Sequence, residues 1–200
     1  MSLDKVKYFS AEPSNYKLFS YLVQNKNEKT MSSSFLHLAA ERYSCRSFQK
    51  REVEDYLVNS ILEAARLAPT AKNIQPVHIW VIRNPEVLES LKKATACTFD
   101  APVIFLVGYK PDEAWVRGYD GKNGGETDAA IVGTHIMLQV ADLGLGCTWV
   151  GSFNPAVVQE LLPQTSGYEL EALFPVGYPA GSPSPRHNQR KPIPEIVEFI

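Results

Sequence analysis

Hydrophobic residues along this chain change their spacing several times, and each change marks an element. Residues 34–40 carry a short helical pattern for which Ser34 is a suitable cap. The polar run Arg42-Tyr43-Ser44-Cys45-Arg46-Ser47-Phe48 interrupts it. Over residues 52–67, Val53, Tyr56, Leu57, Ile61, Ala64 and Ala65 fall on one helical side, which predicts an amphipathic helix stopped by Pro69. A polar loop over 70–76 leads to a strand over 78–82. Pro85 then stands at a first helical position, with Val87, Leu88 and Leu91 turned inward.

Residues 102–109 form a continuous apolar run, the pattern of a strand covered on both faces. Residues 110–125 mix Gly118, Gly121, Gly124 and Gly125 with Trp115 and Tyr119, a composition that suits a mobile excursion or lid. Residues 127–143 are apolar nearly all round and predict a helix central to the core or lying in a subunit interface, terminated by Gly144 and Gly146. A strand over 147–153, a helix over 155–162, a strand over 173–178 and an apolar segment over 196–200 complete the chain. Helices and strands mix without strict alternation, so the expected fold is α+β, a mixed, largely antiparallel central sheet flanked by helices. Residues 1–31 read as an N-terminal extension, with Tyr16, Phe19, Leu22 and Val23 as a short helical stripe, and 32–200 as the main domain.

Composition narrows the function classes. The chain has 200 residues, 20 Lys+Arg against 22 Asp+Glu, and a net charge of −2, so no global basic field exists to attract nucleic acid. Its mean hydropathy of −0.17 and short apolar stretches argue against a membrane span. The first 30 residues contain Asp4, Glu12 and Glu28, lack arginine and lack the apolar core of a secretory signal. Cys45, Cys97 and Cys147 are widely spaced and odd in number, which points to reduced thiols and the cytoplasm. His37, His78, His135 and His187 have no ligand spacing; no metal site is expected, and His135 reads as a satisfied core residue.

The familiar catalytic signatures GxSxG, HExxH, GxxxxGK[ST] and GxGxxG are missing. Three segments carry other chemistry. In 42–46, an extended backbone places Arg42, Ser44 and Arg46 on one side, and a helix would again pair Arg42 with Arg46. Either arrangement suits a phosphate or another anion, and the bland alternative is a solvated, charged helix end. In 69–76, Asn73 and Gln75 offer the donor-plus-acceptor edge that a heterocycle requires, unless the segment is only a stiff connector between Pro69 and Pro76. In 147–153, Gly151 lets a flat ligand approach the backbone.

Four signatures stand in order: Arg42-Tyr43-Ser44-Cys45-Arg46-Ser47-Phe48, Ala68-Pro69-Thr70-Ala71-Lys72-Asn73-Ile74-Gln75-Pro76, Gly144-Leu145-Gly146-Cys147-Thr148-Trp149-Val150-Gly151, and Val176-Gly177-Tyr178-Pro179 with Arg190-Lys191-Pro192. Together they resemble the nitroreductase family of flavin enzymes, from about residue 35 to 196. The resemblance implies FMN at the interface of an intertwined homodimer. By motif match it gives Arg42, Tyr43 and Ser44 the phosphate end of FMN and Arg46 the pyrimidine edge. Pro69, Thr70, Ala71, Asn73 and Gln75 would reach the flavin held by the other subunit. Trp149, Val150 and Gly151 would line the ring, with the N–H of Val150 or Gly151 near N5, and Arg190 fits a late phosphate-binding arginine.

The activity implied is hydride transfer from NADH or NADPH through flavin N5 to nitroaromatics, quinones or similar small aromatic acceptors, by a ping-pong mechanism. The chemistry would be carried by FMN, with no catalytic acid or base from the protein. The alternatives are another flavin chemistry on the same fold, such as dehalogenation or flavin cleavage, or a non-catalytic flavin-binding protein.

Overall fold

The longest apolar run of the sequence is the hub of the structure. A computed structural model describes residues 35–200; the stripe over Tyr16–Val23, the cap at Ser34 and the extension over 1–31 lie outside the described residues. The elements follow in chain order. They are α1 (Phe35–Glu41), α2 (Asp55–Arg66), β1 (Val77–Ile82), α3 (Pro85–Leu91), β2 (Val103–Tyr109), α4 (Gly125–Asp142), β3 (Gly146–Cys147), α5 (Pro155–Leu161) and β4 (Glu169–Gly177). Residues Leu36–Ile200 form one compact unit.

The four strands make one antiparallel sheet in the order β1-β2-β4-β3, which bears out the α+β expectation. β2 lies inside that sheet and is buried at every position. Its odd-numbered residues Val103, Phe105 and Val107 face a core shared with α2 and α4, through Leu57, Ile61, Val132, Ile136 and Val140. The even-numbered Ile104 and Leu106 face a second core with Leu91 of α3 and Val158 of α5. Helices on both faces explain why this strand shows no polar alternation.

Two helices carry their own start signals. Asn84 accepts from the N–H groups of Glu86 and Val87 ahead of α3, and Asn154 does the same for Ala156 and Val157 ahead of α5. In each case a proline follows the asparagine, where its missing N–H is harmless. The helix expected over 127–143 begins two residues earlier and is less uniformly buried than its composition implied. Ala129, Val132, Gly133, Ile136 and Val140 face the core, while Thr134 is exposed.

The strand expected over 147–153 is not continuous. β3 stops at Cys147, and only Val150 rejoins β4, as an isolated bridge to Leu173. The register explains the gap. Gly146 faces Gly177, Cys147 faces Val176 and Val150 faces Leu173, which sets Thr148 opposite Pro175. Proline has no N–H to donate, so the ladder loses a rung there. The strand expected over 173–178 correspondingly extends the other way, back to Glu169.

Residues 110–125 fold as a small hairpin. Val116 bridges Asn123, Arg117 N–H donates to the Lys122 carbonyl at 2.9 Å, and Gly121 turns the chain at φ +73°. The apolar segment over 196–200 joins no strand or helix, and Phe199 is 93% exposed.

Candidate functional site

The arginine motif is extended, not helical. Arg42 N–H closes the end of α1 on the Leu38 carbonyl at 3.0 Å, and from there the chain runs beside β3. Ser44 forms a parallel bridge with Cys147, and Cys45 N–H donates to the Cys147 carbonyl at 2.9 Å. On the other side, Ala180 N–H donates to the Ser47 carbonyl at 3.0 Å, and Tyr43 Oη donates to the Gly181 carbonyl at 2.9 Å. Alternation then sorts the side chains: Cys45 is buried, while Ser44 and Arg46 are turned out. Burial pushes the Cys147 thiol up to about 12, so this thiol is a packed group and not a nucleophile.

Arg42, Tyr43, Ser44 and Arg46 line a cleft of about 760 Å³ whose opposite wall is Ser184, Pro185, Arg186, His187, Gln189 and Arg190. Charge makes this cleft distinctive. Arg51, Arg66, Arg83 and Arg117 each pair with a carboxylate. Arg42, Arg46, Arg186 and Arg190 have no carboxylate partner among the described residues, and no acid lines the cleft. Arg46 donates to its neighbour carbonyl at Ser44 at 3.3 Å, and Arg190 donates to the carbonyls of His187 and Gln189. Unpaired guanidinium groups facing one hollow make an anion site, and planar forks suit phosphate.

Arg186 and His187 were not singled out from sequence. The available signal was a basic stretch with no Asp or Glu between Glu171 and Glu195. His187 meets the Tyr43 ring edge-on, with centroids 6.1 Å apart, which joins the two walls.

The 147–153 segment adjoins the arginine motif through the Ser44–Cys147 bridge. Trp149 packs edge-on against Phe174 at 5.0 Å and fills the space over Gly133. Of the two amides considered near N5, that of Val150 is engaged, donating to the Leu173 carbonyl at 2.9 Å. Gly151 is exposed and its N–H has no partner among the described residues. A Cβ placed on Gly151 would meet only Trp149 Nε1, at 3.8 Å, so the backbone is open on that side.

The loop over 69–76 does not line the arginine cleft. It has a short turn, Ala71–Asn73, with left-handed φ at Lys72, Asn73 and Gln75, and it presents Asn73 and Gln75 to solvent. Thr70 Oγ1 accepts from Gln75 N–H at 3.0 Å, and Ala71 N–H donates to Asp128 Oδ1 at 2.9 Å. His135, inside α4, places Nδ1 2.9 Å from the Ile131 carbonyl and is half-buried, so it is satisfied but lies at the edge of the core and not within it.

Residues 39–101 and 96–178 match the nitroreductase family. The chain belongs to that family. A nitroreductase family protein from Clostridium difficile 630 is 39% identical, covers 83% of this chain and 98% of its own, and superposes with a TM-score of 0.78. An NADH dehydrogenase of Thermus thermophilus is 29% identical over 191 residues, spanning 80% of this chain and 92% of its own. A Desulfovibrio desulfuricans protein solved in complex with FMN is 26% identical, covers 82% of this chain and 95% of its own, and has a TM-score of 0.70. No helix among the described residues is long and apolar enough to cross a membrane.

Proposed function

We propose that this chain is an FMN-dependent oxidoreductase that moves hydride from NADH or NADPH to nitroaromatics, quinones or similar electron-poor rings. The observation that carries the reading is the cleft of unpaired arginines, on a segment that Ser44 bridges to Cys147, in a chain of the nitroreductase family. The relatives' names, and the FMN complex of one of them, support the cofactor and the reductant.

The residues fit FMN in kind. Its phosphate carries close to two negative charges, and the cleft supplies unpaired guanidinium groups, the Ser44 hydroxyl and no competing carboxylate. Arg42, Tyr43, Ser44 and Arg190 hold the phosphate end in this reading, and Arg46 adds positive charge toward the pyrimidine edge. Trp149 and Val150 bound the ring, and Gly151 offers the free N–H that the Val150 bridge denies. When bound, FMN supplies the hydride-accepting and hydride-donating chemistry. The chain binds and orients it, and no side-chain acid or base is assigned to the reaction. Donor and acceptor use one site in turn, which gives ping-pong kinetics.

The working unit is a homodimer in which the 69–76 loop serves the other subunit's flavin. Exposed Ile193, Ile196 and Phe199 on the C-terminal segment are the kind of surface such a dimer covers. The three free thiols agree with a cytoplasmic setting.

The absorbance spectrum of the pure protein, followed by anaerobic mixing with NADH and with NADPH, tests the reading. A flavin spectrum bleached by one or both reductants is expected. A colourless protein that takes up no FMN on titration, or a bound flavin that neither reductant bleaches, would overturn it.

A further inference from the structure

We infer that Asp128 is the positioning residue for the 69–76 loop: its carboxylate holds the Ala71 amide and so fixes the shape in which that loop meets a flavin. The inference rests on the flavin-binding reading above. Asp128 lies in the first turn of α4, on its buried face with Ala129 and Val132, and is 3% exposed. Its Oδ1 accepts the Ala71 N–H at 2.9 Å, across 57 residues of sequence. Its Oδ2 is buried with no partner among the described residues. A hollow of about 140 Å³ beside it is lined by Asp128, Ala71, Trp115, Asn123 and Thr127, among others. Burying a carboxylate is costly, and one that uses a single side-chain oxygen has the Ala71 bond as its visible task.

The loop it holds needs a tether. Lys72, Asn73 and Gln75 adopt φ of 52°, 56° and 58°, a region that non-glycine residues avoid. The bonds from Gln75 N–H to Thr70 Oγ1, Asn73 N–H to the Thr70 carbonyl and Ile74 N–H to the Ala71 carbonyl close the loop on itself. They shape the turn without fixing it to the helix behind. The Asp128 bond does that, and it lands between Thr70 and Asn73, two of the side chains assigned to the cofactor. Strained backbone persists only where its surroundings over-determine it; Lys110 N–H holds the far end of the loop at the Pro76 carbonyl, 3.0 Å away, and the Asp128 carboxylate holds the near end, next to the first left-handed residue.

Two variants of the full chain test the inference, Asp128→Ala and Asp128→Asn, with three readouts. These are amide exchange at Ala71 in the FMN-free protein, FMN affinity by fluorescence titration, and melting temperature with and without FMN. In the alanine variant, Ala71 should exchange faster and FMN affinity should fall about tenfold, equivalent to about 1.4 kcal/mol. The asparagine variant keeps an oxygen for the same N–H and should restore both. If alanine at this position prevents folding, Asp128→Ser, whose hydroxyl is too short to reach Ala71, carries the same measurements.

Unchanged exchange at Ala71 in the alanine variant overturns the tether. Faster exchange with undiminished FMN affinity overturns positioning, as does an equal loss of melting temperature with and without FMN at constant affinity. A wild-type protein that takes up no FMN overturns the function reading and this inference with it, while the exchange result still reports separately on the bond.

Discussion

Replacing Gly133 by alanine sets two opposing effects against each other, and the structure decides the sign. Gly133 lies on the buried face of α4, where a helix-interior glycine costs about 0.8–1.0 kcal/mol relative to alanine. Propensity alone therefore predicts stabilisation. A Cβ on Gly133, however, would stand 2.6 Å from Phe174 Cζ and 2.7 Å from Trp149 Cζ3. Phe174 is fully buried in the sheet and cannot yield, so α4 must back away from it and Trp149, which is partly exposed, must move as well.

Overpacking of this kind costs about 1–3 kcal/mol, and contact with two rings at once puts it in the upper part of that range. The net loss is then about 1–2 kcal/mol. For a chain of this size each kcal/mol lowers the melting temperature by about 2–4 °C. Thermal unfolding of the FMN-free protein reads the loss, and FMN titration reads the displacement of Trp149 as weaker binding. A melting temperature equal to or above wild type, with unaltered FMN affinity, would refute the close approach of α4, Phe174 and Trp149 as the reason for a glycine there.

Other expectations are as direct. Arg42→Ala or Arg190→Ala should weaken FMN binding with little change in melting temperature, since each removes a charge-assisted contact from a cleft and not from the core; flavin retention through gel filtration checks this. Added salt should weaken binding in the same direction, most strongly for the wild type. The Glu54 carboxyl is held down at about 2 by the Tyr178 hydroxyl, 2.6 Å away, and by Arg51. A depressed carboxyl pKa stabilises the fold above its unfolded value, near 4.5, and that contribution is lost as pH falls toward 2. Tyr178→Phe keeps the ring under Arg51 but loses the hydroxyl, so acid unfolding across that window should become less steep. Asn84→Ala should cost about 1 kcal/mol in urea unfolding, because the bonds to Glu86 and Val87 N–H are lost together.

The sequence was most legible where one physical cause dominates. Burial on both faces leaves an unbroken apolar run, and β2 sits where that run was. Asparagine-proline pairs start helices by local geometry, and α3 and α5 begin at them. The broken β3 illustrates the limit. Its own residues, Cys147 to Phe153, favour a strand, and the cause of the break is Pro175, far along the chain and visible only once register pairs it with Thr148. The site divides in the same way. Arg42, Ser44 and Arg46 were readable because extended alternation put them together, whereas Arg186 becomes part of the cleft only through the course of the tail. Asp128 was hidden for a different reason: an acid in the first turn of a helix signals nothing about the loop it reaches.

The four-arginine cleft also has a consequence for the protein without its ligand. Like charges gathered in one hollow, with no acid lining it, repel one another until an anion arrives. One wall is anchored to the sheet through Ser44 and Cys45, but the other, from Ser184 to Arg190, has among the described residues a short turn of its own and the Tyr43–His187 ring contact with the first wall. Repulsion therefore acts mainly on the tail. Anion binding and the seating of this segment become one linked event, so among the described residues a flavin-stripped sample in phosphate-free buffer should be cut by protease first between residues 181 and 192. Inorganic phosphate alone should slow that cleavage.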